Sequence, residues 1–160
     1  MLKIVNPATG AVLAKVASDT AAGVRQKYHR ARAAQSAWAQ ETLARRIAAM
    51  TRFRAQLVAR REELAKILTG EVGKPIAQSR NELNGVLARI DFFTENAAAV
   101  LKDEVVFSDP AGTLKEKISH EPLGVVANIS AWNYPYFVGA NVFVPALLAG
   151  NAVLYKPSEF

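Results

Sequence analysis

The run Pro122-Leu-Gly-Val-Val-Ala-Asn-Ile-Ser-Ala-Trp-Asn-Tyr-Pro135, taken with Pro145-Ala-Leu-Leu-Ala-Gly-Asn-Ala-Val-Leu-Tyr-Lys-Pro-Ser-Glu159, carries the reading of the fold. Val125 to Ile129 is short and mostly apolar, as a strand covered on both faces should be, and Ala152 to Tyr155 repeats the pattern. Tyr136 to Ala149, between them, has the length and apolar content of a helix. This order predicts a right-handed crossover between two parallel strands, the opening unit of a doubly wound sheet. In open α/β sheets, ligands collect beyond the carboxyl ends of the strands. Ser130, Ala131, Trp132 and Asn133 leave the first strand, and Lys156, Pro157, Ser158 and Glu159 leave the second, so both groups should face one crevice.

Upstream of that unit the pattern is helical. Lys3 to Val5 and Ala11 to Val16 flank Asn6-Pro-Ala-Thr-Gly10, a stretch dense in turn formers, and predict a short hairpin. Ser18 or Asp19 is the expected cap of a first helix, with Val24, Tyr28, Ala31, Ala34 and Trp38 on its apolar face. A second helix carries Leu43, Ile47, Met50, Leu57, Leu64 and Leu68 on one side and should stop at Gly70 or Gly73. Pro75 opens a third, with Leu83, Leu87, Ile90, Phe93 and Ala97 in line, ending near Lys102. Asp109-Pro-Ala-Gly112 reads as a turn, and Thr113 to His120 alternates well enough to be a half-exposed edge strand open to pairing. The chain divides on this reading into a hairpin and helical part (1–104), an edge-strand segment suited to oligomerisation (105–121), and the first β-α-β unit of the sheet (122–160).

Composition removes several classes of function. With 51% hydrophobic residues in 160, a sizeable core is possible, and the apolar stretches are broken too often by Asn, Gly, Pro and Lys to span a membrane. The first ten residues lack the layout of a secretion signal, so a cytoplasmic protein is expected. There is no cysteine, which excludes disulfides and thiolate metal sites within the chain, and His29 and His120 lack metal-ligand partners at suitable spacing. The net charge of +6 is local: Arg25 to Arg61 holds nine Arg and one Lys against Glu41 alone, while Glu62 to Glu104 holds eight acids against five bases. Arg on the polar side of amphipathic helices accounts for this, and no nucleic-acid motif accompanies it. Asn128-Ile-Ser130 matches the glycosylation acceptor, but inside a buried strand. Gly70-Glu-Val-Gly-Lys-Pro75 fails as a phosphate loop, having two residues where four are needed between the glycines and Pro where a hydroxyl should follow Lys.

Taken singly, the pieces at the strand ends have plain structural explanations. Asn133-Tyr-Pro135 makes a turn, Trp132 serves as a core aromatic, Gly150-Asn151 caps a helix, and Lys156-Pro-Ser-Glu159 is a solvated strand end. Their joint order and spacing outweigh those explanations. Pro-Leu-Gly-Val-Val, Trp-Asn-Tyr-Pro, Pro-Ala-Leu-Leu-Ala-Gly-Asn and Lys-Pro-Ser-Glu together resemble the first crossover of the aldehyde dehydrogenase superfamily. Asn6-Pro-Ala-Thr-Gly10 is similar to the family's N-terminal hairpin, and Glu71-Val-Gly-Lys-Pro75 to the joint before its third long helix. Ala131 stands where the family usually has Pro.

The resemblance implies an incomplete Rossmann-type α/β domain and NAD(P)-dependent oxidation of an aldehyde to an acid through a cysteine thiohemiacetal. It assigns Asn133 as the oxyanion donor and Ile129, Ser130, Ala131, Trp132, Asn133, Lys156, Pro157, Ser158 and Glu159 as the cofactor-binding set, with no metal. Glu159 accepting the ribose hydroxyls favours NAD, while Lys156 and Ser158 leave NADP open. The implied partners are a small aldehyde and further copies of the full-length parent, not nucleic acid or membrane. The family's nucleophilic Cys and general-base Glu lie downstream of Lys-Pro-Ser-Glu. These 160 residues are therefore expected to be the N-terminal part of such an enzyme, inactive and poorly stable in isolation, the alternative being a truncated, non-catalytic nucleotide-binding or interaction module.

Overall fold

The computed structural model describes residues 1–158. Leu2–Val5 (β1) and Val12–Val16 (β2) pair antiparallel, with Lys3 opposite Lys15. Asn6 closes the turn: its carbonyl accepts the Thr9 and Gly10 N–H groups, and its side-chain oxygen accepts the Ala8 N–H at 2.9 Å. The helices Ala21–Gln40 (α1), Leu43–Ala59 (α2), Arg61–Val72 (α3) and Ile76–Val100 (α4) follow. A hairpin of Glu104–Ser108 (β3) and Lys115–Ile118 (β4) leads into Val125–Ile129 (β5), Pro135–Leu148 (α5) and Ala152–Lys156 (β6). β5 and β6 are parallel, pairing Val125 with Ala152 and Ile129 with Lys156.

The helical reading needs four corrections. The cap of α1 is Thr20, whose hydroxyl accepts the Gly23 N–H at 3.1 Å; Asp19 pairs instead with Lys27. The buried side of α1 is not the expected stripe, because Val24, Tyr28 and Ala34 are exposed while Ala31, Gln35 and Trp38 turn inward. Only the later part of this helix is packed, against β5 and β6, so its early apolar positions face solvent. The expected second helix is two, broken at Arg60, which leaves helical geometry (φ −105°, ψ 12°) while its guanidinium grips Glu63 at 2.7 and 2.9 Å. After the break, α2 packs against both α4 and α5, and α3 packs against α4. Finally, Glu104–Ser108 is a strand that the sequence reading passed over, and it pairs with β4 to make a hairpin.

α5 organises the core. It carries no charged side chain, and its Ala140, Val144 and Leu148 pack with Met50 of α2 and with Val86, Ile90 and Ala97 of α4. Fully burying each such large aliphatic group is worth about 1.5–3 kcal/mol. An apolar helix still has polar ends. At its C-terminus, α1 reaches over: Trp38 Nε1 donates to the Leu147 carbonyl at 2.9 Å and Gln35 Nε2 to the Gly150 carbonyl at 3.0 Å. Asn151 finishes the turn, accepting the Gly124 N–H at 2.9 Å and donating to the Ala146 carbonyl at 3.2 Å.

The sheet is covered less fully than its apolar sequence led us to expect. Asn128 is buried, its amide donating to the Gly139 carbonyl at 3.0 Å, which closes it to glycosylation. Ile129, by contrast, is 77% exposed, because the described residues cover only one side of the strand's end. None of the described helices is long and apolar enough to cross a membrane.

α5 approaches β6 closely at Gly139, which lies against the Tyr155 ring. A Cβ there would lie 2.7 Å from the Tyr155 hydroxyl oxygen, whose hydrogen bond to the Pro135 carbonyl (3.1 Å) anchors the start of the helix. Gly139→Ala should push the Tyr155 ring aside and break its bond to the Pro135 carbonyl, a cost of about 1–3 kcal/mol reduced by roughly 1 kcal/mol of helix propensity gained, so the urea midpoint should fall modestly.

Candidate functional site

Both strand exits lie side by side. The Ser130 N–H donates to the Lys156 carbonyl at 3.0 Å, carrying the parallel ladder one step past the last paired residues. Beyond that bond the first exit opens as Ala131, Trp132, Asn133 and Tyr134, all exposed, before Pro135 starts α5. Lys156 and Pro157 are exposed at the second exit and Ser158 is half-buried; Glu159 lies outside the described residues. Ser130 is only 5% exposed, and its hydroxyl has no hydrogen-bond partner. That oxygen is closed off from solvent, so it is a buried polar group whose hydrogen bonding the described residues leave unmet.

The turn between Ser130 and Pro135 is fixed by groups from a different part of the chain. Gly73 ends α3 in the left-handed conformation (φ +78°), and a Cβ there would strike Pro7 Cγ at 2.6 Å, so the N-terminal turn packs directly on this joint. The next residue, Lys74, points its ammonium into the space between α4 and the turn. Its Nζ donates to Glu82 Oε2 and to the Asn133 carbonyl, both at 2.6 Å, and lies 4.0 Å from the centre of the Tyr134 ring. Glu82, on α4, accepts with its other oxygen the N–H groups of Tyr136 and Phe137 at 2.9 and 3.2 Å. A carboxylate from another helix thus caps the N-terminus of α5.

Sequence reasoning missed both residues of this pair. The signal was present for Glu82: it falls on the buried stripe of α4 with Ser79, Leu83, Val86 and Ile90, where an unpaired acid would be untenable.

A shallow depression of about 290 Å³ opens between Gly73, Lys74, Gln78, Trp132, Asn133 and Tyr134. It approaches the lower bound for small-molecule pockets. A larger, open hollow lined by Val100, Lys102, Asp103, Glu104 and His120 lies at the root of the β3–β4 hairpin, where Asp103 is paired with the exposed Lys117. No cluster of three or more metal-ligating residues occurs among the described residues.

Polar groups gathered beyond the carboxyl ends of parallel strands mark the ligand-binding edge of an α/β sheet. The sequence matches the model of the aldehyde dehydrogenase family over residues 1–160, and the chain belongs to that family. It is 37% identical over 159 residues to 3,6-anhydro-alpha-L-galactose dehydrogenase of Streptomyces coelicolor, covering 99% of this chain and 32% of that protein. N-succinylglutamate 5-semialdehyde dehydrogenase 1 of Caulobacter vibrioides is 36% identical over 154 residues, covering 96% of this chain and 32% of its own length. Among solved structures, glyceraldehyde-3-phosphate dehydrogenase from Methanocaldococcus jannaschii, complexed with NADP, superposes with a TM-score of 0.92 at 25% identity, over 99% of this chain and 34% of that one. The chain thus spans about a third of the length of the curated relatives it matches.

Beneath the turn, Tyr136 is the group whose ionisation the fold changes most clearly. Burial pushes its phenol up from 10.0 to about 12, and the nearby carboxylates of Glu71 and Glu82 add to the shift. The folded state favours the protonated phenol, so this stabilisation is complete below about pH 10 and disappears as pH rises through about 12. Tyr136→Phe should remove the tyrosinate absorbance step near pH 12 in a spectrophotometric titration of the folded protein.

Proposed function

We propose that this chain supplies one wall of the cofactor cleft and the oxyanion donor of an NAD(P)-dependent aldehyde dehydrogenase. The observation that carries the reading is the setting of Asn133 within a chain of this family. It is exposed at the mouth of the depression, and Lys74 holds its backbone carbonyl, leaving the side-chain amide available.

The residues at the strand exits fit a dinucleotide. Ile129, Ala131, Trp132 and Pro157 offer exposed surface, Ser130 lies buried at the base of the first exit, and Lys156, Ser158 and Glu159 offer polar groups for the ribose. A nicotinamide cofactor bound there supplies the hydride acceptor. Glu159 accepts the ribose hydroxyls and repels a 2′-phosphate, which favours NAD, whereas Lys156 and Ser158 accommodate NADP. The N-terminus of α5 is not the phosphate site, because Glu82 already takes its N–H groups.

In the chemistry itself, a thiolate adds to the aldehyde carbonyl and the carbonyl π electrons move onto oxygen. The Asn133 amide donates a hydrogen bond to that developing oxyanion and, being neutral, gives up no proton. The chain holds no cysteine, so the thiolate of this scheme comes from outside these 160 residues. The β3–β4 hairpin, with Val105, Val106, Phe107, Leu114 and Ile118 exposed, is suited to association between copies of the full-length protein. A small aldehyde as substrate and a cytoplasmic setting complete the reading.

In the full-length enzyme, Asn133→Ala should slow acylation by roughly a hundredfold or more with cofactor affinity nearly unchanged; near-normal single-turnover rates would remove Asn133 from the mechanism. Glu159→Gln should move the ratio of specificity constants towards NADP. An unchanged ratio would take Glu159 out of ribose recognition.

A further inference from the structure

Lys74 and Glu82 are more deeply placed than any other ion pair among the described residues, with side chains 9% and 0% exposed. The remaining pairs, such as Arg60 with Glu63 and Arg80 with Glu62, are solvated. Withdrawing two charges from water is costly, and apolar residues of similar size often serve stability as well or better. What an apolar pair cannot do is hold a backbone carbonyl and two N–H groups at defined points. Here the carbonyl belongs to Asn133, and the N–H groups belong to Tyr136 and Phe137 in the first turn of α5.

We propose that Lys74 and Glu82 are positioning residues for the oxyanion donor: the ammonium pins the peptide carbonyl of Asn133 while the carboxylate pins the start of the helix that follows. The inference rests on the reading of Asn133 as that donor. With both ends of the turn held, the direction in which the Asn133 side chain leaves the backbone is set. The Tyr134 ring closes the remaining side of the ammonium, 4.0 Å from its nitrogen. Lys74 is itself held, since Gly73 before it is locked between the α3 terminus and Pro7, and Pro75 follows. The distance from the N-terminal turn to the reacting centre is therefore spanned by direct contacts.

A displacement of an oriented catalytic group by about 1 Å can cost around a hundredfold in rate, and loss of a group that orients a ligand typically costs about 10–100-fold. The test is a double-mutant cycle in the full-length enzyme, reading single-turnover acylation, KM for aldehyde and dinucleotide affinity. Lys74→Met should lower the acylation rate about 10–100-fold with dinucleotide affinity and KM little changed. In the Asn133→Ala background the same substitution should add no more than about threefold, because the group it positions is gone. Glu82→Gln, which keeps the volume and an acceptor for the two N–H groups, goes through the same cycle, so a Lys74→Met protein that fails to fold does not decide the matter. Glu82→Gln also turns an amide donor towards the Lys74 ammonium in place of Oε2, so it should release Lys74 and slow acylation. Wild-type acylation in both Lys74→Met and Glu82→Gln, or effects that multiply in full with Asn133→Ala, would overturn the positioning role while leaving the oxyanion reading intact. Near-normal acylation in Asn133→Ala alone overturns both.

Discussion

The structure turns on a problem of unmet hydrogen bonds. α5 is an apolar helix driven into the centre of the fold, and burial of its sides strands the N–H and carbonyl groups at its ends. The chain meets this with side chains from remote helices. Glu82 of α4 takes the first N–H groups, and Trp38 and Gln35 of α1 take carbonyls at the other end. The solution binds the helices to the β5-α5-β6 unit by polar bonds whose geometry is stricter than apolar packing. It also introduces a buried carboxylate, which requires Lys74, and Lys74 brings Asn133 under control. A demand that starts with helix ends thus finishes at the exposed turn.

Why the helical part precedes the sheet in the chain follows from the same bonds. The hairpin turn at Pro7 braces Gly73, α3 delivers Lys74, α4 delivers Glu82, and α1 closes the far end of α5. Each long helix contributes one or two polar anchors as well as apolar surface. The half-buried Arg54–Asp91 pair, which links α2 to α4, adds a further orienting contact.

Spacing of apolar residues located α4 and its stripe well, since Leu83, Ile90 and Ala97 are all buried where a 3.6-residue period puts them. It misjudged α1, because periodicity reports which side is apolar and not how much of a helix finds a partner. The break at Arg60 involves neither Gly nor Pro and left no local mark. β3 was overlooked because only Leu101, Lys102 and Asp103 separate it from the end of α4, too short an interval to show a turn signal. The strand exits were legible because parallel pairing alone brings them together. Lys74 and Glu82 were not, since their meaning lies in a carbonyl 59 residues away in one case and N–H groups 54 and 55 residues away in the other.

The depth of the Lys74–Glu82 pair sets it apart from the rest of the protein's ionic contacts in how it responds to its surroundings. At physiological ionic strength the screening length is about 8 Å, and exposed pairs weaken as salt is added, whereas groups closed off from water feel little of this. The links made by Arg60, Arg80 and Lys117 all lie at the solvent boundary. Changing salt therefore loosens the ties along α3 and the β3–β4 hairpin, while the turn that bears Asn133 keeps its shape. The protein can face a wide range of ionic conditions with its outer seams relaxed and this one corner unaltered.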